Sequence, residues 1–86
     1  MREEIAAFED YLRTVKRSSK NTVAAYGRDL AKLEYFMKEQ GKCSVDEITA
    51  TNLTTYVLYL ERQGLSTATI SRNIASVRAF FLYLLR

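Results

Sequence analysis

No proline interrupts this 86-residue chain, and glycine stands only at positions 27, 41 and 64. Proline removes a backbone donor and clashes with the preceding turn, and glycine costs about 1 kcal/mol in a helix interior. A chain nearly free of both can run long helices with few, short breaks. The apolar pattern supplies four of them. Ile5, Phe8, Leu12 and Val15 recur at helical spacing and predict a first helix from Glu3 to Val15, with Glu3 and Glu4 where the helix dipole favours negative charge. Ser19 is placed to cap a second helix, Lys20 to Glu39, whose stripe is Val23, Tyr26, Leu30, Leu33 and Met37. Gly41 reads as its left-handed C-cap, and Lys42 to Ile48 as a loop. Thr49 or Thr51 caps a third helix reaching Gln63 on Leu53, Tyr56, Val57 and Leu60, and Gly64 stops it. Ser66 caps a fourth, which carries Ile70, Ile74, Val77, Phe81 and Leu84 to the end of the chain. The expected fold is all-α: one domain, a bundle of four helices arranged as two helical hairpins.

Composition narrows the chemistry. With 48% hydrophobic and 27% charged residues the chain is of the folded, globular kind. Cys43 is the only cysteine, so no internal disulfide forms, and there is no histidine, the commonest general base and metal ligand. No apolar run approaches the roughly 20 residues of a membrane span, and Met1-Arg2-Glu3-Glu4 does not start a signal peptide. A cytoplasmic protein that does not engage a membrane is the expectation. No phosphate-cradling glycine loop or metal-ligand spacing occurs, and the six tyrosines have no histidine or basic cluster to activate them. No catalytic residue, metal or cofactor is therefore assigned, and the chain is expected to be non-catalytic.

Charge is distributed by segment. Residues 1–15 and 43–63 are net acidic, whereas residues 16–42 and 64–86 are net basic, the last with Arg72, Arg78 and Arg86 and no acid. On the second helix Lys20, Ala24, Arg28 and Lys32 follow one another at four-residue spacing opposite the apolar stripe. Such a ridge is either a solvated face or one that approaches a phosphate backbone. On the fourth helix Ala68, Arg72, Ser76 and Ala79 lie opposite the stripe, with Ser71 and Ala75 beside them and Arg78 on the flank. Small side chains around arginine let a helix backbone come close to a surface, or to another helix. Gly27 in mid-helix implies close packing or the close approach of a partner. The last eight residues, Ala79 to Arg86, are apolar on nearly every side, with Phe80, Leu82 and Leu85 surplus to the stripe. A helix apolar all round expects burial all round. That end is expected to be covered by something else, as in a fragment of a larger protein.

Two stretches resemble a known family. Ser19-Lys-Asn-Thr22-Val-Ala-Ala-Tyr26-Gly-Arg-Asp29-Leu30 is similar to the S-x-N-T-x-x-x-Y-x-x-D-L signature of tyrosine recombinases of the phage-integrase and Xer type. Leu65-Ser66, Thr69-Ile70, Arg72 and Ser76-Val-Arg78-Ala-Phe80-Phe81-Leu-Tyr83-Leu84 resemble their second signature, and Phe8 with Tyr11-Leu12 fits the first helix. The resemblance covers essentially the whole chain. It implies the N-terminal core-binding domain, a SAM-like bundle, which with a C-terminal catalytic domain of the same protein clamps double-stranded DNA in a tetramer on two duplexes. The catalytic side chains belong to that other domain. Gly27 departs from the pattern, standing where a longer, often basic residue is usual.

In that family the second and fourth helices meet the major groove, and these are the two net basic segments. The resemblance and the residue types together nominate Lys20, Asn21, Ala24 and Arg28 on the second helix. On the fourth they nominate Ser66, Thr67, Thr69, Ser71, Arg72, Ser76 and Arg78. Lysine and arginine supply phosphate attraction, whereas Asn21 and Arg72 can make paired hydrogen bonds to base edges. Thr22, Tyr26 and Asp29 are expected to be structural, with Asp29 pairing with Arg78 and turning it toward phosphate. The rival reading is a helical protein–protein interaction module, favoured by the apolar end.

Overall fold

The computed structural model describes residues 1–86, and every regular element in it is helical. The elements are α1 (Arg2–Thr14), α2 (Lys20–Glu39), α3 (Ala50–Arg62) and α4 (Thr67–Leu84), with one 3₁₀ turn, Val45–Glu47, between α2 and α3. The starts are set by side-chain caps. Ser19 and Ser66 have nearly the same backbone conformation, and each accepts a hydrogen bond from the N–H of the threonine three residues on, Thr22 at 3.1 Å and Thr69 at 3.2 Å. Each serine also donates to that threonine's hydroxyl, at 2.9 and 3.0 Å, so α2 and α4 begin identically. Thr49, not Thr51, caps α3, in a reciprocal box with Asn52. Gly41 and Gly64 lie at φ 78° and 76°, the left-handed conformation in which a glycine ends a helix without strain.

Two helical pairs, α1 with α2 and α3 with α4, join mainly where α2 packs on α4, with α1 also against α4 and α2 against α3, while α1 and α3 do not touch. The core runs through both pairs: Ile5, Phe8 and Leu12 of α1; Val23, Leu30, Leu33, Phe36 and Met37 of α2; Tyr56 and Leu60 of α3; Val77 and Phe80 of α4. Phe8 meets Tyr26, Phe80 and Tyr83 ring to ring, and Phe36 stacks against Tyr56 and Tyr59. Phe80 is fully buried here, which corrects the expectation that it was surplus. Val15, expected in the core, is 66% exposed, because α1 ends at Thr14 and the chain turns away through Arg17 at φ 53°.

Gly27 lies beneath α1. A Cβ added there would come within 2.5 Å of Glu9 Oε2, the far end of a flexible side chain, so the position faces α1 and not the outer surface. The expected loop 42–48 holds the 3₁₀ turn, capped by Ser44 and Glu47.

Candidate nucleic-acid interface

The seam between α2 and α4 is polar. Asp29, in the middle of α2, has its carboxylate 3% exposed and receives four hydrogen bonds, all from α4. Arg72 donates through Nη2 to Oδ1 at 2.8 Å and through Nε to Oδ2 at 3.3 Å. Ser76 donates to Oδ2 at 2.6 Å, and Asn73 Nδ2 reaches Oδ1 at 3.4 Å. Asn73 in turn accepts from the Tyr56 hydroxyl at 2.9 Å, which brings α3 into the chain of bonds. No buried side-chain nitrogen or oxygen is left without a partner, as a buried polar cluster requires. Asp29 raises the Arg72 pKa by hydrogen bond and by charge. Burial raises that of Tyr56 well above the usual phenol value, opposed by its bond to Asn73 and reinforced by the nearby Asp29 charge.

Two points of the sequence reading change here. Asp29 pairs with Arg72, and Arg78 makes no ion pair or hydrogen bond, because Arg72 and Ser76, one turn apart, are the α4 positions that face α2. Ser76 is 5% exposed with its hydroxyl bound to Asp29, so it is part of the seam and not of the outer surface. The remaining nominated residues are placed as follows. Lys20, Asn21, Ala24 and Arg28 are exposed on α2, and the three polar ones make no side-chain hydrogen bond or ion pair. Helical spacing sets Asn21, Ala25, Arg28 and Lys32 along the flank beside Asp29, with Lys20 and Ala24 further round. On α4, Thr67, Ser71, Arg72 and Arg78 are exposed and Thr69 is half-buried, while Ser66 is exposed but uses its hydroxyl as the cap. Ala68, Ala75 and Ala79 flank Arg72. Arg78, six positions on and so about 120° round the helix, borders the opposite edge. There it lines an apolar groove with Leu53, Val57, Ile74, Phe81 and Leu82.

Asn73 was missed by the sequence reading. With Ser76, Val77 and Phe80 it completes the buried side of α4 at spacings of three, one and three, a helical stripe that counts only if its polar members are admitted.

Comparison with known proteins bears on what this arrangement is for. The family described as "Phage integrase, N-terminal SAM-like domain" matches residues 5–86. The chain belongs to that family. Among its relatives, the tyrosine recombinase XerD of Oceanobacillus iheyensis is 40% identical over 83 residues, covering 95% of this chain and 28% of that protein. The tyrosine recombinase XerC of Lacticaseibacillus casei is 37% identical over 86 residues, again 95% of this chain and 28% of the relative. XerC of Listeria monocytogenes is 34% identical over 79 residues, 92% and 26%. This SAM-like domain thus spans little more than a quarter of the length of the curated relatives it matches. No solved structure matches it at comparable stringency. No helix of the domain is long and apolar enough to cross a membrane, and no group of three or more acidic or cysteine side chains is gathered to hold a metal.

Proposed function

We propose that this chain is the DNA-binding arm of a site-specific tyrosine recombinase and that it grips duplex DNA through the outward flanks of α2 and α4. The observation that carries the reading is the set of unpaired cations on those helices. Lys20, Arg28, Lys32 and Arg78 make no ion pair, and α4 contains no acid to neutralise them. Unpaired lysine and arginine on adjoining helices displace counterions from a phosphate backbone. Asn21, Thr67 and Ser71, exposed beside them, add neutral donors of the kind that position a protein on DNA. In this reading a separate catalytic domain of the same protein cuts and rejoins the DNA strands, with this arm contributing grip and part of the site recognition; the relatives' name, tyrosine recombinase, supports it. Assembly as a tetramer on two duplexes belongs to the same proposal.

The test is a titration of short duplex DNA at several salt concentrations. The wild type is expected to bind with an affinity that falls steeply as salt rises. Lys20→Ala with Arg28→Ala should flatten the log–log slope by about 0.9 per lost phosphate contact. Absence of salt-dependent binding even at low ionic strength would contradict the reading. It would favour the alternative, a helical protein-interaction module, for which the apolar groove between α3 and α4 and the exposed Leu82 and Leu85 are the supporting features.

A further inference from the structure

We propose that Arg72 reads a guanine and that Asp29 is the positioning residue that holds it end-on for that contact. The proposal rests on the DNA-binding reading and adds to it a division of labour among the cations. Asp29 engages one side of the guanidinium, taking Nε and one N–H of Nη2. The N–H groups left over are both of those on Nη1 and the second on Nη2, at the outer end of the fork. Two parallel N–H groups at that end match the paired acceptors N7 and O6 of guanine in the major groove.

Charge separates this from phosphate binding. Arg72 is half exposed and water partly screens it, but it lies against a carboxylate that is 3% exposed, and the two together carry no net charge. A guanidinium neutralised in this way has little net charge with which to displace a counterion. Its oriented donors remain, and the acceptors of a guanine edge are themselves neutral. Lys20, Arg28 and Lys32 are the reverse case, with full charge and no fixed orientation.

The orientation is set deep in the domain. Ser76 and Asn73 fix the carboxylate from α4, and Tyr56 fixes Asn73 from α3, so three helices determine where Arg72 points. A donor pair held before binding loses little freedom on contact. Around it Ala68, Ser71 and Ala75 are exposed and short, which lets the α4 backbone approach the floor of a groove.

The experiment enriches binders from a pool of duplexes with a randomised core, using the 86-residue chain. Each guanine of the enriched duplex is then replaced by 7-deazaguanine, which lacks the N7 acceptor, and affinities are read by fluorescence anisotropy at several salt concentrations. The wild type should lose about tenfold at one guanine, within the roughly 5- to 150-fold span of a bidentate base contact. Arg72→Lys should remove that dependence and leave the salt slope unchanged. Asp29→Asn should also remove it, while steepening the slope by about 0.9 as the guanidinium regains its charge. If Asp29→Asn does not fold, as judged by circular dichroism, the wild-type Arg72 Nε–H resonance decides. It should be slowly exchanging in the free chain and remain so on DNA.

Loss of that protection on binding would overturn the proposal. So would an Arg72→Lys variant that keeps the guanine dependence, or a folded Asp29→Asn variant that keeps it with an unchanged salt slope. These outcomes leave the DNA-binding reading intact, whereas failure of the wild type to bind any duplex overturns both.

Discussion

Replacing Ser76 by alanine distinguishes a buried seam residue from a surface DNA contact. The serine hydroxyl donates to a carboxylate at 2.6 Å, and its residue is 5% exposed. A hydrogen bond to a charged group contributes about 1.5–3 kcal/mol net, because the acceptor is otherwise left short of a partner in a buried place. Alanine returns about 0.5 kcal/mol through its better helix propensity. The expected net loss is about 1–2.5 kcal/mol. For a domain of this size each kcal/mol shifts Tm by roughly 4–8 °C, so the midpoint should fall by about 4–20 °C. Urea denaturation followed by circular dichroism at 222 nm gives the free energy, and a thermal scan gives the shift. DNA affinity, measured well below the new midpoint, should change mainly through Arg72, whose anchor has loosened, and the salt slope should stay within about 0.5 of wild type. A variant as stable as wild type within about 0.5 kcal/mol, yet weaker on DNA, would refute the argument and return Ser76 to the surface.

Three further substitutions test the packing. Gly27→Ala should stabilise the domain by about 0.5–1 kcal/mol in urea titration, since the helix gains propensity and the only obstacle is the mobile end of Glu9; destabilisation would mean that Glu9 is anchored. Phe80→Ala should cost about 3–5 kcal/mol in the same assay, whereas Leu82→Ser, at a position 60% exposed, should stay within about 0.5 kcal/mol. Tyr56→Phe should alter the alkaline limb of stability. The raised folded-state pKa of Tyr56 means that above about pH 10 the unfolded chain ionises this phenol while the folded chain keeps its proton. Wild-type stability should therefore fall with rising pH by up to about 1.4 kcal/mol per unit more than that of the phenylalanine variant. Parallel curves for the two would contradict the assigned shift.

The helices and their ends could be read from the sequence because their signals are local. Ser19, Thr49 and Ser66 cap through residues three positions away, and Gly41 and Gly64 adopt the positive φ that other residues avoid. The seam could not be read in the same way. Asp29 meets Arg72 and Ser76 across separations of 43 and 47 residues, and no periodicity links them. Hydropathy also misdirects on α4. Ile70, Ile74 and Phe81 form its apolar stripe but are only partly buried, and Ile74 and Phe81 face α3 and the groove. The deepest side of the helix includes Asn73 and Ser76. The sequence pattern sets Ser76 opposite the stripe and gives Asn73 no place, yet both point inward because they bond a buried carboxylate. Phe36 escaped for a simpler reason: Met37 and Phe36 are both buried at the end of α2, and a single-file stripe admits only one of two neighbours.

The claim that α2 and α4 together form the DNA-contacting face is tested most directly by mapping backbone amide NMR shifts as duplex DNA is added at low salt. The account predicts the largest changes at Lys20, Asn21, Ala24, Ala25, Arg28 and Lys32 of α2 and from Ser66 to Ala75 and at Arg78 of α4, fading as salt is raised. Changes confined to Leu53, Val57, Ile74, Phe81 and Leu82 around the apolar groove, or the absence of any change in α2, would contradict it.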